Sequence, residues 1–208
     1  MRLEVNAIAV FCADIGSIVK GNFGWYGVLD EGRRAEGGDP RELLRAVLAA
    51  LDGEGQVALG FECPLFVPVP HEPKRLPSAR KGEGARPWCA SGGATVLAAG
   101  LAQVTWMLRE LRRGAPMATA HVDWQSFTES KPALFLWEAF VSGDAKGADH
   151  VADATVAVRT FLRAMPNPTL HCQVSAEEPL SLVGASLLRT GWRTDPGVLA
   201  TPPIVIKA

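Results

Sequence analysis

The sequence predicts a single α/β domain built on a mixed sheet, and three observations carry that expectation. Strongly apolar runs, short enough to be strands buried on both faces, recur at residues 5–13, 55–65 and 131–141. Segments with helical start and stop signals lie between and after them. A glycine-punctuated stretch after Asp14 returns the chain into FGWYGVL (23–29), which reads as a strand folding back beside the first. At 208 residues the chain suffices for one well-buried domain with decoration and is short for two.

The first run, VNAIAVFCA, delivers a carboxylate, Asp14, to its end, where burial is costly unless a partner meets it. Gly16, Gly21 and Gly24 allow a tight turn around a ligand; the alternative is that Asp14 only caps a hairpin. A short third strand fits Arg33 to Glu36. Asp39-Pro40-Arg41-Glu42 then opens a helix with an acidic N-cap, proline at the first helical position and glutamate three residues after the cap. That helix is expected to reach about Leu51 and stop at Asp52-Gly53. GQVALGFECPL (55–65) is a second buried strand, and it too brings a carboxylate, Glu62, to its end. Ligands of α/β sheets collect at the carboxyl ends of strands, so the two acids can sit side by side.

Residues 66–87 form a basic, proline-rich insertion with too little periodicity for an element. Arg75, Arg80, Lys81 and Arg86 in it read either as a solvated surface or as a phosphate-gripping loop. A long helix follows from near Ser91 to Gly114, in which Ala94, Ala98, Ala99, Gly100 and Ala102 suggest close packing on the sheet, and Trp106 and Met107 read as core. His121 and Asp123 read as a satisfied polar edge rather than a metal pair. The run 131–141 is the third buried strand; Glu138 interrupts it and needs a partner. Residues 147–165 form the next helix. Asp149 and Asp153 share a face if the helix has begun by Asp149, and they then repel unless a cation or proton lies between them. If Asp149 is the N-cap, only Asp153 points at the site. Residues 166–208 read as a C-terminal extension packed on the core, with a possible short strand, a helix from about Glu177 to Leu188 and a terminal apolar IVI.

Composition narrows the function. With 48% hydrophobic and 21% charged residues the chain is an ordinary globular sequence. Its formal net charge of −1 supplies no global basic field for non-specific nucleic-acid binding, so any such contact needs a local patch. Cys12, Cys63, Cys89 and Cys172 form no pair at zinc spacing and read as reduced thiols. No signal-peptide cleavage pattern is found, and no run reaches the roughly 18–20 apolar residues of a membrane span. A cytoplasmic protein with no membrane partner is expected; oligomeric state has no signal in the sequence.

Acids thus stand at the ends of two buried strands and at the start of a late helix. Asp14, Glu62 and Asp153, with Asp149 or Glu138 as a fourth, are suited to hold one or two Mg²⁺ or Mn²⁺ ions through oxygen ligands. Such ions activate water and stabilise the leaving oxygen of a phosphodiester. The strand-Asp-Gly-strand, the strand ending in Glu and HVADA before an apolar helix resemble the ribonuclease H-like fold, a mixed sheet with helices on both faces. ADIG, GWYGV, GFECPL with its arginine-bearing loop, LWEAF and DHVADATVAV are similar to the family called domain of unknown function 429 and, more distantly, to RuvC-type resolvases. The resemblance spans roughly residues 5 to 165. It implies that Asp14, Glu62 and Asp153 are metal ligands, that Glu138 is an acid on the fifth strand, and that His150 lies beside the helix start. The resolvases are usually basic and lack the proline-rich loop, which sets a junction-DNA substrate apart from this chain.

Three functional expectations result. The first is a metal-dependent phosphodiesterase or nuclease acting on nucleic acid, with Asp14, Glu62, Asp153 and Glu138 catalytic and Arg75, Arg80, Lys81, Arg86 and His150 facing substrate. The second is a nucleotide- or phosphate-ligand-binding protein of the actin-like type, in which ADIGSIVKG is the phosphate loop and Lys20 touches phosphate. The third is a non-catalytic structural module in which the acids do not converge.

Overall fold

The computed structural model describes residues 8–29, 32–84 and 87–208. β1 (Ile8–Asp14) is buried throughout and turns through an exposed 3-10 segment, Ile18–Lys20, into β2 (Gly24–Val28). β2 runs antiparallel to β1, and β3 (Arg34–Gly37) antiparallel to β2. α1 (Pro40–Leu51) starts as expected: Asp39 caps it by accepting from the Arg41 N–H. β4 (Gln56–Glu62) returns parallel to β1.

The insertion is more structured than its composition suggests. β5 (Phe66–Pro68) opens it, and a 3-10 turn follows at Pro73–Arg75. α2 (Ser91–Gly114) leads through β6 (Thr119–His121) and α3 (Trp124–Thr128) to β7 (Ala133–Phe140), parallel to β4. α4 (His150–Ala164) is the late helix. The expected helix over 177–188 divides into β8 (Pro179–Ser181) and α5 (Leu182–Arg189), because the Ser181 hydroxyl accepts from Gly184 N–H and starts the helix there. β9 (Val205–Lys207) is the last strand.

The order across the main sheet is β3-β2-β1-β4-β7-β6, with β9 also pairing β7. β6 covers the start of β7's outer edge and β9 its end, both parallel, so the terminal IVI completes the sheet. β5 pairs antiparallel with β8, and Lys81 bridges to Ser175, which ties the 66–87 insertion to the C-terminal extension.

Two apolar layers flank the sheet, and strand alternation assigns residues to them. Ala9, Phe11, Val57, Leu59, Phe61, Leu134 and Leu136 face one layer with Val47 of α1, Met107 and Leu108 of α2 and Leu187 of α5. Val10, Cys12, Ala58, Phe135 and Trp137 face the other, with Ala154, Ala157, Val158 and Phe161 of α4. The chain is therefore a single α/β domain with a mixed sheet and helices on both faces. Small side chains on the α4 face have a packing reason: a Cβ on Gly60 would lie 2.4 Å from the Trp137 ring. On α2 the expected small-residue contact holds at Gly100, where a Cβ would lie 2.6 Å from Cys63 Sγ. Ala94, Ala98 and Ala102 are exposed instead, so the first half of α2 is only partly covered. Met107 is core as expected, Trp106 packs against it half-buried, and all four cysteines are free thiols. Among the described residues, no helix is long and apolar enough to cross a membrane.

Candidate metal centre

Register and alternation build the centre. β1 and β4 pair in parallel with Asp14 directly beside Glu62, at the carboxyl ends of both strands. Both side chains fall on the even positions of their strands, the parity of Cys12 and Ala58, and so point to the α4 layer. α4 lies across β1 and β2 with its first turn over these ends, and the missing side chain of Gly24 permits it: a Cβ there would stand 2.4 Å from the His150 and Val151 backbone. That first turn carries Asp153. One carboxylate oxygen from each of Asp14, Glu62 and Asp153 lies within 4.8 Å of the other two.

The carboxylates are crowded and shielded from water. Asp14 and Asp153 are each 5% exposed. Burial pushes Glu62 up to about 8, with the charge of Asp14 adding to the push and Lys146 opposing it. Burial also raises Asp14, against the hydrogen bond and charge of His150. Two protein cations or donors face the acids. Lys146 Nζ stands 2.8 Å from Asp153 Oδ2 and 3.5 Å from Glu62 Oε1, and His150 Nδ1 lies 2.5 Å from Asp14 Oδ2. Burial works against the Lys146 ammonium, but the Asp153 hydrogen bond and the surrounding carboxylates outweigh it and raise its pKa. The Gly147 N–H fixes the second Asp153 oxygen at 2.6 Å. Glu62 Oε2, by contrast, is buried and has no hydrogen-bond partner among the described residues. An unsatisfied buried carboxylate oxygen of this kind is costly, and an oxygen-only donor set is one that could hold a hard cation.

Several expected members of the site lie elsewhere. Asp149 is corrected from metal ligand to helix cap: its side chain accepts from the Ala152 N–H at 2.8 Å, outside the cluster. Glu138 is corrected from catalytic acid to structural ion. It pairs with Phe61 in register, one residue short of Glu62, so the pleat sends it to the opposite face. There Arg80 binds both its oxygens, at 2.6 and 2.8 Å, and the Leu65 N–H donates at 2.9 Å. Burial pushes Glu138 up and Arg80 pulls against that push. Arg80 is likewise corrected from phosphate-gripping residue to buried counter-ion: it also binds Glu83, at 3.0 and 3.2 Å, lies over the Phe66 ring, and is 2% exposed. Arg75 pairs with Glu177 at 3.4 Å and, with Lys81, lines a separate cavity. Lys20 lies in the exposed 3-10 turn between β1 and β2. Arg86 lies outside the described residues. His150 does reach the site, through Asp14. His121 donates or accepts through Nε2 at Thr119 Oγ1, 2.8 Å away, and its Nδ1 has no hydrogen-bond partner among the described residues, so that edge is satisfied only in part; Asp123 caps α3.

The sequence reading missed Lys146. Its signal was position: a lysine three residues before the helix cap, in the loop leaving the strand that carries Glu138, is within reach of an acid in the helix's first turn. No family model, curated protein or solved structure matches this chain, so the functional reading rests on the geometry of this centre.

Proposed function

We propose that the chain is a Mg²⁺- or Mn²⁺-dependent phosphodiesterase of the nuclease type, built on a ribonuclease H-like sheet. The observation that carries this reading is the convergence of Asp14, Glu62 and Asp153 from two neighbouring strand ends and a helix start, to within 4.8 Å. An antiparallel hairpin leading into a parallel strand, with the late helix lying over the acids, is compatible with this reading.

The donor set fits the ion. All three groups are carboxylates, which suit small hard cations, and Glu62 Oε2, without a hydrogen-bond partner among the described residues, could serve as a ligand oxygen. A divalent cation bound there supplies the positive charge that activates water and stabilises the leaving oxygen of a phosphodiester. The chain's own residues do the positioning. Asp14 and Glu62 are held by strand register, Asp153 by the Gly147 N–H, and Asp14 is oriented by His150. The Lys146 ammonium stands at the rim, 39% exposed, where it can meet a phosphate oxygen.

Mn²⁺ titration followed by thermal unfolding, together with cleavage of a panel of single- and double-stranded nucleic acids, tests the proposal. Mn²⁺ is expected to raise the Tm of the wild-type chain and not that of Asp14→Asn, and cleavage is expected to vanish in the variant. Undiminished Mn²⁺-dependent cleavage by Asp14→Asn would sink the assignment.

A further inference from the structure

We infer that the cleft beside the acid cluster binds the planar, uncharged group next to the phosphate, a nucleobase or an aryl ring, so that the centre takes a single nucleotide or the end of a single strand rather than a duplex. The inference rests on the metal-centre reading for the position of the phosphate. A cavity of about 460 Å³ opens at the carboxyl ends of β4 and β7, and Glu62 and Lys146 belong both to its lining and to the acid cluster. A ligand whose phosphate meets the cluster therefore extends into this cavity. Its volume falls in the range of about 300–1,000 Å³ that small-molecule sites occupy.

Much of the cavity wall is apolar, and its aromatic member is held in place by hydrogen bonds. Pro64, Trp88, Val96, Phe140 and Val141 line it. The Trp88 indole N–H donates to Ser78 O at 2.8 Å and its backbone N–H to Glu83 Oε1 at 2.7 Å. Glu83 is clamped by Arg80, which in turn is clamped by Glu138 on β7. The buried ion network thereby anchors Trp88 to the sheet. With its N–H already satisfied, the indole offers a ligand only ring surface, which suits another planar group.

Charge in the cleft is sparse. Among the described residues that line it, Lys146 is the one cation, while Glu83 and Glu138 in the wall are already paired with Arg80. The exposed basic residues Arg75 and Lys81 line a different cavity, of about 350 Å³. A single phosphate held at the acids is compatible with this lining; a duplex backbone running along the cleft would meet Lys146 as the one cation among the described lining residues.

Binding of phenylphosphonate, which carries a ring but no ester to hydrolyse, tests the inference by calorimetry in the presence of Mn²⁺. The wild-type chain is expected to bind it at least about tenfold more tightly than methylphosphonate. Gly92 lines the cleft, and a Cβ there meets nothing within 4 Å, so Gly92→Phe adds a ring at the cavity wall with no backbone clash. That variant is expected to lose the tenfold preference while its Mn²⁺-induced rise in Tm stays unchanged. Val96→Phe, one helical turn on, is a second variant with the same expected outcome should the first not fold. Arms with thymidine 5′-monophosphate and with single-stranded oligothymidylate separate a free mononucleotide from a strand's terminal nucleotide; tight binding of either supports the inference. Equal affinity for the two phosphonates, a preference kept in the filled variants, or tighter binding of duplex than of either thymidine ligand overturns it and leaves the metal centre standing. Absence of any Mn²⁺ effect on the wild type overturns the metal reading, and the inference with it.

Discussion

Glu62→Gln is the sharpest probe of the acid cluster, because burial carries the titration of the group it alters far above the usual carboxylate range. In the folded chain burial, with the charge of Asp14 beside it, lifts Glu62 from 4.5 to about 8. Between those values the folded state holds a proton that the unfolded state has released, so stability falls as pH rises from about 4.5 to about 8. Moving one carboxyl across that interval costs its ionised form at most about 5 kcal/mol. For a domain of this size a fall of roughly 3–5 kcal/mol is about 6–20 °C in Tm. Thermal unfolding in chelator, measured from about pH 5 to about pH 8.5, is expected to show this decline in the wild-type chain and a much flatter profile in Glu62→Gln, which keeps the shape and cannot ionise. Mn²⁺ is expected to reverse the wild-type decline at the alkaline end, where the carboxylate is free to bind it, and to leave the variant unchanged. Parallel pH profiles for the two proteins would refute the reasoning, since the slope would then belong to other groups.

The remaining predictions probe what surrounds the cluster. Arg80→Met leaves Glu138 and Glu83 buried without their shared cation and is expected to cost about 3–5 kcal/mol in urea unfolding. Asp149→Ala removes only a helix cap, so a loss of about 1 kcal/mol is expected in the same assay, with no change in Mn²⁺ affinity by calorimetry. Gly24→Ala forces a methyl group against the α4 backbone 2.4 Å away; it is expected to cost about 1–3 kcal/mol and to weaken Mn²⁺ binding, because the helix that carries Asp153 must shift. Lys146→Met removes an ammonium that competes for the carboxylates and is expected to tighten Mn²⁺ binding while lowering the metal-free Tm.

By itself the sequence determined the elements that follow local rules. The helix at Pro40–Leu51 is written in its Asp39 cap and Pro40, and the long helix at Ser91–Gly114 in an apolar run that closes on basic residues and a glycine, signals that act locally. The three buried strands are written in apolar runs, and the first two visibly end in Asp14 and Glu62. Tertiary structure alone decided the rest. Whether Glu138 joins the cluster depends on the register of β7 against β4, and a one-residue offset sends it through the sheet to Arg80. A solvated or phosphate-gripping Arg80 and a buried Arg80 have the same local sequence; only the distant carboxylate of Glu138, 58 residues away, distinguishes them. The proline-rich insertion found its order in pairing with residues more than 100 positions later, at β8. Long-range pairing of this kind leaves no periodicity in either segment, which is why it became visible only once the chain had closed on itself.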